Sequence, residues 1–247
     1  MNYKFGLVSV SFRKHSPEDI LKAMNTAGLK HIEWGSDVHV PTGNAEKIAL
    51  LQEKYGILCS SYGTYFRLGE HNICELDKYI STAKVLGTRV LRLWCGTKSS
   101  ENYTEEEKNH LFCECQKAAE LAKLNDVVLC LECHNNTYTD KITNTLELMK
   151  FVNSPNFRMY WQPNQYVSED ENINYAKHIA EYTEHIHVFN WNKDEKYPLI
   201  LAEDIWKEYL GCFDKDKTLL LEFMPTDSIE SLGAEANSLK KIAGGMV

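Results

Sequence analysis

Two glutamates, Glu132 and Glu222, each close a run of apolar residues, VVLCLE and TLLLEF. A carboxylate carried into the interior by such a run is costly unless it is paired or bound to a cation. Two of them side by side cannot both ionise without positive charge between them. A further stretch, HIHVFN, places His185 and His187 two residues apart, on one face of an extended strand. Carboxylate oxygens together with imidazole nitrogens suit one divalent ion: manganese, magnesium, cobalt or zinc. The alternative is that Arg92, Arg67 or Arg13 pairs with the glutamates and ties the fold together. One buried glutamate would serve either reading equally. Two glutamates and an HxH at strand ends favour the metal.

The elements that must position these residues recur along the whole chain. Strand-like runs fall at FGLVSV (5–10), HIEW (31–34), ILCSSY (57–62), RVLRLW (89–94), VVLCLE (127–132), FRMYWQ (157–162), HIHVFN (185–190) and TLLLEF (218–223). Amphipathic segments separate them, with helix starts at Ser16-Pro17-Glu18-Asp19 and Thr104-Glu105-Glu106-Glu107 and helix stops at Gly28 and Gly56. The strand-to-strand step averages roughly 30 residues, the size of one βαβ crossover. Continuous apolar strands belong to a parallel sheet covered on both faces. Eight such units predict a single (β/α)8 TIM barrel over residues 1–247, in the α/β class. A doubly wound sheet would show a glycine-rich turn after the first strand, and SFRKHSPED has no glycine. In a barrel the chemistry gathers where strands end and βα loops begin, which is where Glu132, Glu222 and the histidines fall.

Bulk composition narrows the function classes. The net charge of −8 disfavours a nucleic-acid partner. The chain has no apolar stretch of membrane-spanning length, and MNYKFGLVSVSF lacks the order of a secretory signal. The eight cysteines read as reduced thiols in a cytoplasmic protein. Cys130 and Cys133 imitate a zinc CxxC, but three residues apart on a strand they point to opposite faces.

The sequence resembles the xylose isomerase-like barrel superfamily, which includes sugar phosphate isomerases and epimerases, ketose 3-epimerases, inosose dehydratases and the endonuclease IV branch. The stretches IEWGSDVHVP (32–41), SSYGTYFRLG (60–69), LECHNNTYTD (131–140), YWQP (160–163), HIHVFNW (185–191) and LLLEF (219–223) carry the likeness. In the epimerase branch one metal is held by glutamate, aspartate, histidine and glutamate from strands 5 to 8. The resemblance implies that Glu132, Gln162, His187 and Glu222 hold the metal here. Gln162 departs from the family's aspartate, so the ligands bring two negative charges instead of three and weaker affinity is expected. Gln165 stands where a histidine is common, and Tyr138 stands near the place of a loop glutamate of the 3-epimerases.

The resemblance also implies proton transfer through an enediolate, with Glu132 and Glu222 as the catalytic base and acid. His185, Arg92, Trp34, Trp94, Tyr62 and His134 are candidates for substrate contacts, and Asp37 and His39 for the pocket lining. The leading expectation is a metal-dependent isomerase or epimerase of a small sugar, sugar phosphate or polyol, with oligomeric state left open. Two alternatives are an inosose-type dehydratase and a non-catalytic sugar-binding barrel with a degenerate metal site. DNA repair ranks last, because that branch needs more metal-binding histidines and a basic surface.

Overall fold

The computed structural model describes residues 2–244. Strands and helices alternate: β1 Lys4–Val8, α1 Pro17–Ala27, β2 His31–Gly35, α2 Ala45–Tyr55, β3 Leu58–Leu68, α3 Leu76–Val85, β4 Val90–Cys95 and α4 Glu105–Leu124 form the first half. The second half is β5 Val128–Glu132, α5 Ile142–Val152, β6 Phe157–Trp161, α6 Glu169–Ile179, β7 Thr183–Val188, α7 Glu203–Leu210, β8 Thr218–Leu221 and α8 Leu232–Gly244. Each strand pairs in parallel with the next, and β8 returns to β1 through Lys4↔Thr218 and Leu7↔Leu221. The sheet is therefore a closed (β/α)8 barrel, which leaves no edge strand to protect.

The helix boundaries follow the local chemistry of the sequence. Ser16 accepts from the Asp19 amide with Pro17 beside it, and Thr104 and Glu107 cap each other reciprocally. Gly28 and Gly56 end α1 and α2 in the left-handed conformation that glycine adopts freely. Strand ends depart from the sequence expectation. β3 runs on to Leu68 through a register shift between Gly63 and Arg67. β1 stops at Val8, where Ser9–Phe12 turns into a short 3-10 segment.

Alternation along the strands divides the interior into two compartments. Ile32, Trp34, Leu91, Leu93, Leu131, Trp161, Ile186 and Leu221 face outward and join the core between sheet and helices. Val8, Val10, Cys130, Tyr160 and Leu220 form a much smaller apolar cluster of their own, inside the barrel. Cys133 belongs to the outer core and Cys130 to the inner cluster, so the CxxC spacing does not bring the two thiols together. All eight cysteines are free. No helix of the described residues is long and apolar enough to cross a membrane.

Two residues expected at the pocket belong to the outer compartment instead. Trp34 follows Glu33, so it faces the opposite side, where its indole N–H donates to Gln52 Oε1 at 2.7 Å. Tyr62, between Ser61 and Gly63, likewise points outward and donates to the Val40 carbonyl at 2.6 Å. Both are fully buried against the helices. Gln52 also donates to the Leu86 carbonyl at 3.2 Å, which ties β2 to α2 and to the end of α3. Gln52→Leu leaves the Trp34 N–H buried without a partner, at a cost of about 1–3 kcal/mol. For a chain of this size that lowers the calorimetric melting temperature by about 2–12 °C. An unchanged transition would show that the glutamine bridge adds nothing to the fold.

Candidate functional site

A cavity of about 320 Å³ opens at the C-terminal ends of the strands, where Arg92, Glu132, His134, Gln162 and Glu222 meet. Beneath it lies a cluster of charged groups from five strands or their ends, of which Arg92, Glu132 and Glu222 line the cavity. Glu33 from β2, Arg92 from β4, Glu132 from β5 and His187 from β7 all face inward because they share strand parity. Glu222 lies one residue beyond β8 and two beyond the inward-facing Leu220. None of the five is more than 5% exposed.

Arg92 is the positive centre. Its Nε donates to Glu33 Oε1 at 2.8 Å and its Nη1 to Glu132 Oε2 at 2.5 Å. The Trp94 indole N–H donates to the same Glu132 oxygen. Glu132 Oε1 turns instead toward His187 Nδ1, at 3.5 Å. Glu222 Oε2 lies 3.4 Å from that nitrogen, and Gln162 Oε1 lies 3.2 Å from it. Three oxygens from three elements therefore converge on one imidazole nitrogen.

The electrostatics follow from burial opposed by partners. Burial alone would raise the Glu132 carboxyl, but Arg92 outweighs it and holds Glu132 down at about 2. Glu33 is likewise held below the ordinary carboxylate range, because Arg92 and His187 outweigh its burial. Glu222 has no arginine partner, and burial pushes it up to about 7, helped by the negative charge of Glu132. Burial would lower His187, yet Glu222 and Glu33 pull it up. Three carboxylates against one guanidinium leave two net negative charges when the imidazole is neutral.

Three features of this cluster fit a divalent cation. Glu222 Oε2 is a buried acceptor with no hydrogen-bond partner. With the imidazole neutral and Glu222 ionised, the two remaining negative charges are what one divalent ion neutralises. Donors about 2.1 Å from a tetrahedral ion stand roughly 3.4 Å apart, close to the spacings around His187 Nδ1. Histidine, cysteine, aspartate and glutamate alone form no ready metal cluster among the described residues; the convergent set includes a glutamine amide.

The two readings of the buried glutamates thus divide between them. Arg92 does pair with Glu132, while Glu222 is left without an arginine. Arg67 and Arg13 are engaged elsewhere. Arg67 donates to the Gly96 carbonyl and covers the Trp94 ring at 4.0 Å, and Arg13 binds Asp37 and the Tyr65 hydroxyl.

Of the expected substrate contacts, Arg92, Trp94 and His134 line the cavity, with the Trp94 and His134 rings stacked at 4.8 Å. Trp34 and Tyr62 do not, for the parity reason already given. His185 does not either: it faces inward one layer below His187, with its ring nitrogens 2.8 Å from the Glu184 carbonyl and 3.3 Å from the Ser60 carbonyl. His39 is buried against Ser9, and Tyr138 is buried with its hydroxyl away from the cavity lining. Gln165 lines the cavity, as do Tyr65, Trp191 and Phe223. Glu33 escaped the sequence reading, although its setting between Ile32 and Trp34 carries the same signal as Glu132: a carboxylate inside a buried strand.

The 3-dehydroshikimate dehydratase of Bacillus anthracis is 26% identical over 168 residues, 63% of this chain and 60% of that relative. The chain thus spans less than two thirds of that relative's length. A crystal structure of a probable 3-DHS dehydratase involved in petrobactin synthesis, from the same organism, superposes with a TM-score of 0.81 at 20% identity, covering 97% of this chain and 99% of the other. An L-ribulose 3-epimerase superposes at 0.77 with 15% identity, covering 99% and 94%. The IolI protein with a bound zinc atom superposes at 0.80 with 14% identity, covering 99% of each. The family model described as xylose isomerase-like TIM barrel matches residues 21–232. That match takes in most of the barrel, and the chain belongs to the xylose isomerase-like TIM barrel family.

Proposed function

We propose that this protein is a divalent-metal-dependent isomerase or epimerase that enolises a small hydroxy-ketone of the sugar, sugar phosphate or polyol class. The observation that carries the reading is the convergence of Glu132, Gln162 and Glu222, which line the cavity, on one nitrogen of the buried His187. These four residues would hold one manganese, magnesium, cobalt or zinc ion, and the zinc atom bound in the similar IolI structure supports a metal in a barrel of this family. When bound, such an ion acidifies the hydrogen on the carbon beside a carbonyl and stabilises the enediolate.

The chain's own residues handle the proton. Glu222, which neither an arginine nor an indole N–H holds as they hold Glu132, is assigned removal of the proton, and Glu132 its return to carbon. Arg92 and Trp94 donate to one oxygen of Glu132 and so fix which oxygen is left to work. Tyr65 and Trp191 offer aromatic faces for the C–H surfaces of a sugar, and His134 stacked on Trp94 offers a polar edge.

A second reading has support from the similarity to a 3-dehydroshikimate dehydratase. The same enediolate expels a β-hydroxyl instead of regaining its proton. The two readings share every residue up to that branch and differ only in whether the proton or the hydroxyl is dealt with next.

Proton exchange tests the shared step. Ketoses and keto-inositols incubated with the protein in deuterium oxide gain deuterium beside the carbonyl, read by NMR. Glu222→Gln slows that exchange by about 10²–10⁴-fold. No exchange with any substrate, from a protein that binds metal, would leave a sugar-binding barrel as the function.

Metal dependence is checked by mass spectrometry of purified protein, with about one ion per chain expected. Chelation stops the exchange, and returning the ion restores it. The products separate the two reactions: a dehydratase generates new ultraviolet absorbance from a conjugated product, and an epimerase does not.

A further inference from the structure

We propose that Glu33 is the positioning carboxylate of this site: it holds His187 by Nε2 so that Nδ1 is the nitrogen presented to the divalent cation. The inference rests on the metal reading given above and assigns a role to a residue outside the ligand set. Glu33 Oε2 lies 3.4 Å from His187 Nε2, on the far side of the ring from the converging oxygens. A neutral imidazole carries one proton, and the nitrogen that binds a cation must be the other one. An acceptor at Nε2 keeps the proton there and leaves the Nδ1 lone pair facing Glu132, Gln162 and Glu222. A carboxylate in that place also makes the ligating nitrogen more basic.

Glu33 is itself held on both oxygens. Arg92 Nε donates to Oε1 at 2.8 Å, and the Ser61 hydroxyl donates to Oε2 at 3.0 Å. The neighbouring strand makes room for this pair with a glycine. A Cβ on Gly63 would stand 2.5 Å from Glu33 Oε1 and 3.0 Å from Arg92 Nη2, so any larger residue displaces one of them. Tyr160 closes the other flank with its ring edge-on to His187, 4.9 Å between centroids. Glu33 is fully buried and does not line the cavity, so it touches no substrate. Balancing Arg92 alone does not require it, since Glu132 already pairs with that guanidinium.

The assignment also bears on Gln162. The ligand set carries only two carboxylates, and Glu33 adds a third negative charge one imidazole away from the cation.

Cobalt chloride titration of the intact protein, followed by calorimetry and by the visible absorption of bound cobalt, tests the role. Glu33→Gln keeps its circular dichroism, binds cobalt about 10–100-fold more weakly and shifts the absorption bands. Ser61→Ala, which removes only the hydroxyl, moves both in the same direction by less. A counter-ion serving Arg92 alone lowers the unfolding midpoint of Glu33→Gln but leaves cobalt affinity and spectrum as in the unaltered protein; that result overturns the proposal. If Glu33→Gln does not fold, Ser61→Ala decides, and unchanged affinity and spectrum there overturn it. Failure of the unaltered protein to bind cobalt overturns both this inference and the metal reading, whereas binding that is indifferent to both substitutions overturns this one alone.

Discussion

Arg92 stands inside the barrel between Glu33 and Glu132, and the organisation of the site depends on that contact. A parallel barrel is covered by helices on its outer face, so a charge directed inward has neither water nor a surface to reach. Each carboxylate placed there needs a partner of opposite charge. One guanidinium satisfies two of the three glutamates and holds each in one orientation. The third, Glu222, is left with an acceptor oxygen that no protein group fills. The same contact that stabilises the interior thus also sets where the site is incomplete.

Two-residue alternation converts eight ordinary strands into this arrangement. On β2, β4 and β7 the apolar neighbours Ile32, Leu91 and Ile186 pack outward while Glu33, Arg92 and His187 turn in. The interior is therefore layered. The apolar cluster around Val8, Cys130, Tyr160 and Leu220 occupies part of it, His185 forms a polar layer bonded to backbone carbonyls, and the charged cluster lies above. Tyr160 touches both histidine rings edge-on and links the layers. A site built on strand ends and supported from below in this way suits the proton transfer proposed for it.

The two carboxylates proposed for catalysis differ in what surrounds them. Glu132 accepts from Arg92 and Trp94 on one oxygen, whereas Glu222 has an unfilled one. Such asymmetry is how one site holds a carboxylate suited to anchoring beside another suited to carrying a proton. The relatives named above include a dehydratase and an epimerase on one fold. Here the cavity lining includes Arg13, Tyr65, Gln165, Trp191 and Phe223.

The barrel was legible in the sequence because its signals are local: apolar runs of strand length, caps at Ser16 and Thr104, stops at Gly28 and Gly56, and a regular step between strands. Glu132 and Glu222 were legible too, since a carboxylate closing a buried run stands out whatever its partners. Glu33 carried the same signal and was passed over, although His31 and Asp37 lie close to it in sequence. The errors at Trp34, Tyr62 and His185 share one cause. A residue near a strand end reaches the cavity only if its parity is inward and its layer is the last. Parity is fixed by which neighbour pairs with which, and depth by the stagger of strands around the closed sheet. The sequence by itself therefore determined the barrel and the residue types that needed each other. Only the tertiary structure decided that Arg92 would bridge Glu33 and Glu132 while His187 met Glu33, Gln162 and Glu222, because these partners come from strands up to 154 positions apart and closure alone brings them within reach.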